Sequence, residues 1–187
     1  MALFHQSSTF VTRVGVVAAV AATVGLSAIA GAVGLAVLSG TEATAATPQC
    51  ATAGLVIWFD PVANGAAGTL YYDLELTNLS GHTCALSGYP GVSAVNLQDQ
   101  QIGSPASRNG PAHPPAVTLT PGSSATASLG YSDVVSSSCA SVSAAGLRVY
   151  PPNQTSSKVV PFPFRACTHA GQLFLRVGPV GHYTLFP

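Results

Sequence analysis

The chain has 187 residues, and its six basic and six acidic residues give a net charge of zero. Only 6% of the residues are charged, against about a quarter in an average soluble domain. This composition argues against a nucleic-acid surface and against a polybasic membrane patch, because both need a dense field of Lys and Arg. A hydrophobic fraction of 48% argues against a disordered chain.

An uncharged apolar run at residues 14–38 follows Arg13 near the N-terminus. As a helix rising about 1.5 Å per residue, the run is long enough to span a bilayer. Ala43-Thr44-Ala45 then matches the A-x-A pattern of signal peptidase, so we expect cleavage after Ala45 or Ala46. The alternative is an uncleaved signal anchor that attaches the protein to the membrane through residues 14–38. Both interpretations predict an extracytoplasmic protein, either secreted or held in the cell envelope.

Four cysteines follow the export segment: Cys50, Cys84, Cys139 and Cys167. None forms a C-x-x-C pair, which argues against the simplest zinc and redox motifs. An even number of cysteines in an exported chain predicts two disulfides. Three pairings can be drawn, and we prefer the sequential one, Cys50–Cys84 and Cys139–Cys167. Its loops of about 35 and 29 residues would each contribute about 3.5–4 kcal/mol in the chain-entropy model.

After residue 46 the sequence predicts short strands and no helix, because Gly and Pro interrupt any helical periodicity. The clearest alternation runs from Leu70 to Thr77, with one apolar and one polar face. The other candidate strands, not all of which need form, lie at residues 54–59, 84–86, 92–97, 101–103, 117–119, 125–131, 147–150, 158–161 (a brief edge strand) and 173–177. Residues 63–68, 104–115 and 136–143 are predicted connections. About seven to nine short strands with frequent turns are typical of a β-sandwich.

Residues 77–92, TNLSGHTCALSGYPGV, resemble the signature of an actinobacterial exported family known as domain of unknown function 4232. Further matches are residues 119–122, residues 147–152 and the stretch from Cys167 to Val180. The resemblance implies an immunoglobulin-like antiparallel β-sandwich, export, and no assigned activity or catalytic residue. We therefore divide the chain into a signal peptide or anchor (1–46), the sandwich domain (47–180) and a short C-terminal tail (181–187).

No catalytic, cofactor-binding or metal-binding motif is evident in the sequence. The histidines after the export segment fall in predicted loops without the spacing of metal ligands: His82, His113, His169 and His182. No G-x-S-x-G nucleophile turn is present. A pair of carboxylates for glycoside hydrolysis would have to come from Asp60, Asp73, Glu75, Asp99 and Asp133. Asp73 and Glu75 share the polar face of one strand, which is usually a solvated face. We expect no enzyme activity and no cofactor.

Two further features concern the surface. Asn78-Leu79-Ser80 and Asn153-Gln154-Thr155 are N-x-[ST] sequons, which we interpret as coincidental in a bacterial protein. Phe162-Pro163-Phe164 and the tail at residues 182–187 would form an apolar patch if exposed, and the alternative is packing against the sandwich edge.

The sequence as a whole favours an exported non-catalytic module that binds an envelope protein or ligand not identified by the sequence. The first alternative is a structural envelope protein anchored in the membrane. A weaker alternative is a metal carrier or an enzyme whose site is assembled from loops.

Overall fold

The computed structural model describes residues 46–60, 62–132 and 139–181. These residues form an all-β domain whose only helical element is a 3-10 turn at Thr52–Gly54, so the predicted all-β class is confirmed. Within this part of the chain no helix has the length and apolar character needed to cross a membrane. The apolar run at residues 14–38, Ala45, and the tail at residues 182–187 lie outside the described residues.

The strands are twelve in number along the described part of the chain. Their bounds are β1 Leu55–Phe59, β2 Asn64–Ala66, β3 Thr69–Asn78, β4 Cys84–Leu86, β5 Gly91–Val95, β6 Gln101–Ile102, β7 Ser107–Arg108, β8 Val117–Leu119, β9 Ser124–Ser132, β10 Ser141–Tyr150, β11 Lys158–Cys167 and β12 Leu175–Val177.

The twelve strands form three sheets. The largest has the order β1-β3-β9-β12-β7, and β2 adds a sixth strand by pairing with the first residues of β3. The second has the order β11-β10-β5-β6, and β4 pairs with β8 in a small third sheet. Every pair is antiparallel except β12 with β7, which is parallel. The parallel pair brings the chain after β7 alongside the end of β12.

The core lies between the two larger sheets. Leu74 and Leu76 of β3 are fully buried, whereas Asp73 and Glu75 between them are only half-buried and face away from the core. This alternation confirms the half-buried strand predicted at residues 70–77. Such an alternation is expected when one face of an antiparallel sheet packs against the core and the other meets water.

Aromatic side chains of β11 join the second sheet to the first. The ring of Phe162 lies 5.1 Å from that of Phe59 and 4.9 Å from that of Tyr72, and Phe164 lies 5.1 Å from Tyr131. Both phenylalanines are half-buried against the core. Of the two alternatives for Phe162-Pro163-Phe164, packing within the sandwich is therefore the one observed. The Lys158 ammonium also donates a hydrogen bond to the Leu55 carbonyl across the same edge.

The two disulfides have the sequential pairing. Cys50 bonds to Cys84 with a Cα–Cα distance of 4.9 Å, and Cys139 bonds to Cys167 with a Cα–Cα distance of 5.7 Å. The first joins the segment before β1 to β4, and the second joins the segment before β10 to the end of β11. The second bridge lies near the end of β9, because Tyr131 donates to the Arg165 carbonyl, whereas the first lies near its start, because β4 pairs with β8.

The signature stretch is organised around the buried side chain of Asn78, which has no exposed surface. Its amide nitrogen donates to the carbonyls of His82 and Leu119 at 2.9 and 3.0 Å. Its amide oxygen accepts from the backbone N–H and the hydroxyl of Ser80 at 2.9 and 2.7 Å. The N-x-S spacing is therefore a structural motif, and burial withdraws the Asn78 side chain from any glycosylation chemistry.

The sequence underestimated the number of strands, since seven to nine were predicted and twelve are present in the described residues. β2 lies inside the loop predicted at residues 63–68, and β7 lies inside the loop predicted at residues 104–115. β2 has three residues and pairs with the adjacent β3, whereas β7 has two residues and pairs with the distant β12. Local composition reveals neither pairing.

Two strands of the second sheet are longer than predicted. β10 begins at Ser141, inside the Ser-rich connection predicted at residues 136–143, and β11 continues from Pro161 to Cys167. Two prolines, Pro161 and Pro163, obscured β11 in the sequence. β11 is the edge of its sheet, and a strand edge tolerates proline because its outward N–H has no ladder partner to lose.

Candidate functional site

A groove of about 280 Å³ lies on the face of the six-stranded sheet that points away from the core. Its floor is formed by Thr126, Ser128 and Gly130, which are alternate residues of β9. Successive side chains of a strand point to opposite faces, so these residues share the outer face while Ala127 and Leu129 enter the core. The small floor residues leave the groove open.

One wall of the groove is the connection after β7. It contributes Pro111, Pro114 and Pro115, and Pro179 beyond β12 adds a fourth proline. The proline rings fix the backbone φ angles, so the wall loses little conformational freedom when a ligand binds. This wall is therefore largely preformed.

Two hydrogen bonds hold the proline wall in place. The N–H of Asn109 donates to the Val177 carbonyl at 2.9 Å, and the hydroxyl of Tyr89 donates to the Pro111 carbonyl at 2.7 Å. Gly110 has a φ of +140°, and a Cβ there would lie 2.7 Å from the Tyr89 hydroxyl oxygen. Glycine is therefore required where the wall turns past the tyrosine.

At one end of the groove Arg176 and Tyr71 meet above Gly130. Gly130 pairs with Tyr71 of β3 on one side and with Arg176 of β12 on the other. A Cβ on Gly130 would lie 2.6 Å from Cγ of Arg176 and 3.1 Å from Cε1 of Tyr71. The glycine thus allows the arginine stem and the tyrosine ring to close over the strand.

The guanidinium of Arg176 is exposed and lines the groove. Among the residues that the structure describes, it has no hydrogen-bond acceptor and no acidic partner. Arg148, by contrast, forms an ion pair with Asp99 at 2.9 Å on the second sheet. Arg176 is therefore available to bind an anionic group of a ligand.

Two carboxylates of β3, Asp73 and Glu75, lie just outside the groove lining, next to the floor on the side of β9 away from β12, and we call this side the β3 margin. Glu75 accepts a hydrogen bond from the Thr126 hydroxyl at 2.8 Å, and Asp73 pairs with Ser128 in the register of β3 and β9. Burial raises the pKa of Asp73, and repulsion from Asp60 raises it further. Burial also raises the pKa of Glu75, opposed by the Thr126 hydrogen bond and reinforced by Asp73 and Asp60. No basic side chain of the described residues neutralises this margin by an ion pair.

The other candidate residues do not join this site. His82, His113 and His169 lie exposed in separate loops, and Asp99 occupies the β5–β6 turn with a φ of +56°. His182 and Asp133 lie outside the described residues, as does Ala45, and Ala46 is exposed where the described chain begins. The described parts of the chain contain no group of three or more His, Cys, Asp or Glu residues arranged to hold a metal ion.

A second hollow of about 400 Å³ lies on the other side of the proline wall. It is polar, and its lining includes His113, Asn153 and Arg108, whose guanidinium lies 5.6 Å from the centre of the Tyr89 ring. Its walls lack the apolar surface of the groove above Gly130.

Sequence reasoning missed the groove because its residues, proline, serine, threonine and glycine, belong to classes that indicate turns or polar strand faces. The available signals were the prolines at positions 111, 114 and 115 and the lone Arg176 in a strand. Neither signal reveals that β12 and β7 pair in parallel and bring them together.

Comparison with known proteins gives a family and no function. Residues 50–181 match the family model described as domain of unknown function DUF4232. No curated protein matches the chain, and no solved structure matches it. Functional inference must therefore come from the geometry of the site.

Proposed function

We propose that this chain, which belongs to the DUF4232 family, is an exported, non-catalytic binding module built on an immunoglobulin-like β-sandwich. The immunoglobulin-like assignment is supported by two mainly antiparallel sheets that enclose one core, with short strands and a disulfide near each end. The small β4–β8 sheet extends this arrangement at one end.

Export is supported by the two disulfides, because such bonds persist in oxidising compartments outside the cytoplasm. The apolar run at residues 14–38 and the A-x-A pattern before Ala46 supply the targeting signal. In this proposal the peptidase cleaves after Ala45 or Ala46 and releases the domain. Mass spectrometry of the N-terminus of the native protein tests this step, and an intact Met1 or Ala2 would instead establish the membrane-anchored alternative.

Binding is supported above all by one observation: a preformed, proline-walled groove that contains Arg176, which has no partner among the described residues. A structural role needs no such groove, and a paired or buried arginine would serve stability equally well. An exposed cation beside apolar walls and hydroxyl groups is typical of a recognition site, where few polar groups orient a ligand among apolar contacts.

The absence of catalysis in this proposal rests on the residues that line the groove. Its floor offers two hydroxyl groups, Thr126 and Ser128, and Thr126 already donates to Glu75. Nucleophilic catalysis requires a base within hydrogen-bond reach of the hydroxyl, oriented by a third group. Glu75 is within reach of the Thr126 hydroxyl, but in the described residues no third group hydrogen-bonds to that carboxylate to orient it as a base.

Site-specific photo-crosslinking in the exporting host tests the function. A photo-reactive phenylalanine at Pro115, on the groove wall, is compared with the same residue at Val159, an exposed position on the second sheet. We expect one defined adduct from position 115 and none of the same mass from position 159. Adding Ser128→Trp, which fills the floor, should remove the adduct. Equal labelling from both positions would contradict a binding role for the groove.

A further inference from the structure

The groove carries opposite charges at separate places. Arg176 lies at the Gly130 end, while Asp73 and Glu75 lie along the β3 margin toward Thr126. From the register, two strand spacings and two residues along the strand put the Cα atoms of Asp73 and Arg176 roughly 12 Å apart. The Cα atom of Glu75 lies two residues farther along the strand from that of Arg176. Among the described residues no ion pair joins Arg176 to either carboxylate.

The length and walls of the groove indicate what can lie between the charges. The floor from Thr126 to Gly130 contains five residues, and its four rises of about 3.4 Å give about 14 Å of strand. That length accommodates three or four residues of an extended chain. Proline rings and the Tyr71 edge form the kind of surface on which extended, proline-containing segments pack, because these segments present rigid apolar rings at little entropic cost.

We infer that the groove binds a short extended peptide segment whose carboxylate lies at Arg176 and whose ammonium or other basic group lies at Asp73 and Glu75. This inference rests on the proposed function and specifies its ligand class. The guanidinium can make two parallel hydrogen bonds to a carboxylate. The basic group relieves the repulsion among the margin carboxylates, and the hydroxyls of Thr126 and Ser128 face the peptide backbone.

Charge complementarity at both ends favours a peptide over an apolar ligand of the same length. An apolar ligand would cover Arg176 and the margin carboxylates without pairing them, and a covered charge without a partner is costly. Another occupant to consider is the chain itself, because Gly181 pairs with Thr126 at the far end of the floor and residues 182–187 follow it. Truncation of the chain at Gly181 tests that occupant.

The test uses the protein purified from its exporting host and the tetrapeptide Ala-Pro-Pro-Ala with free termini. The same peptide is also prepared with an amidated C-terminus and with an acetylated N-terminus. Binding is measured by NMR titration, with the resonances of Tyr71, Ser128 and Gly130 as reporters of the groove. We expect the free peptide to shift these resonances and each capped peptide to bind at least fivefold more weakly.

Charge variants then assign each peptide end to its partner. In Arg176→Gln, the amidated peptide should bind as tightly as the free peptide. In the double variant Asp73→Asn with Glu75→Gln, the acetylated peptide should bind as tightly as the free peptide. Arg148→Gln is the matched control, because Arg148 is paired on the other sheet, and there both caps should weaken binding as in the wild type. This cycle isolates the charge pair from general damage to the fold.

Two results would overturn the inference. The first is equal affinity of free and capped peptides, or shifts confined to residues outside the groove. The second is tighter peptide binding after truncation at Gly181, which would identify residues 182–187 as the resident occupant. A defined photo-adduct at Pro115 together with either result would leave the binding function in place and remove only the peptide assignment. If position 115 gives no photo-adduct and the peptide shifts no resonance, both the binding function and the peptide assignment are contradicted.

Discussion

Arg176 occupies the space that a side chain on Gly130 would fill, since a Cβ on that glycine would lie 2.6 Å from Cγ of the arginine. The two residues are register partners on β12 and β9, so the relationship is fixed by the sheet. Because Gly130 has no Cβ, the stem of Arg176 can lie against β9, and this places its guanidinium at the groove. The neighbours of such a methyl group are the flexible Arg176 stem and the Tyr71 ring, both of which can move.

Gly130→Ala should therefore alter the groove with little loss of stability. We expect a decrease of about 1 kcal/mol in the free energy of unfolding, because only side chains must shift. Gly103→Ala should cost more, about 3 kcal/mol. There the new Cβ would lie 2.2 Å from the Cys167 carbonyl oxygen and φ is +62°. Urea denaturation of both variants checks the order, and a larger loss for Gly130→Ala would contradict this description of the groove floor.

Asn78→Ala should be among the most destabilising polar substitutions in the domain. The carbonyls of His82 and Leu119 and the Ser80 groups would lose their partner in a buried site, at a cost of about 3 kcal/mol. The control is Asn153→Gly, because the exposed Asn153 side chain donates only to the Ser87 carbonyl and its φ of +58° is one that glycine adopts without strain. That control should cost about 0.5 kcal/mol. Similar denaturation midpoints for the two variants would show that the buried amide does not organise the signature stretch.

The two disulfides should differ in their resistance to reductant. Cys50 and Cys84 are both 1% exposed, whereas Cys139 is only half-buried. Because reduction requires access of a thiolate to sulfur, dithiothreitol should open Cys139–Cys167 first. Timed alkylation followed by peptide mass spectrometry gives the order. Earlier alkylation of Cys50 and Cys84 would contradict the burial described for that bridge.

Asp73→Asn should stabilise the protein at neutral pH. Burial and Asp60 raise the pKa of Asp73 above its ordinary value of 3.8, so the folded state binds a proton more tightly than the unfolded state. Stability from this group is therefore greatest when it is protonated and decreases as pH rises through the folded pKa. The gain in melting temperature from Asp73→Asn should be present at pH 7 and vanish below pH 3.8. Asp99→Asn is the control, since Asp99 is paired with Arg148 and its loss should not stabilise.

The sequence was most informative where a local pattern decides the structure. Leu74 and Leu76 alternate with Asp73 and Glu75, and that alternation alone determines which face of β3 enters the core. The cysteine count predicted two bridges because an exported chain rarely leaves thiols free. The family signature included Asn78, although the burial of its amide became evident only in the structure.

The groove could not be predicted because it depends on contacts between distant segments. Its wall lies where it does because β7 pairs with β12, and its end is closed because Gly130 lies between Tyr71 and Arg176. These pairs join segments that are dozens of residues apart. For the same reason β7 was missed, since two residues carry no periodicity of their own.

The central claim is that this protein acts by binding through the outer-face groove, and groove filling measures it most directly. Labelled protein, as wild type, Ser128→Trp and Val159→Trp, is titrated against envelope fractions of the host from which it is purified. Both variants place an indole on a sheet surface, but only the first blocks the groove. We predict that Ser128→Trp weakens binding at least tenfold while Val159→Trp binds as the wild type. Undiminished binding by a folded Ser128→Trp variant would contradict the account.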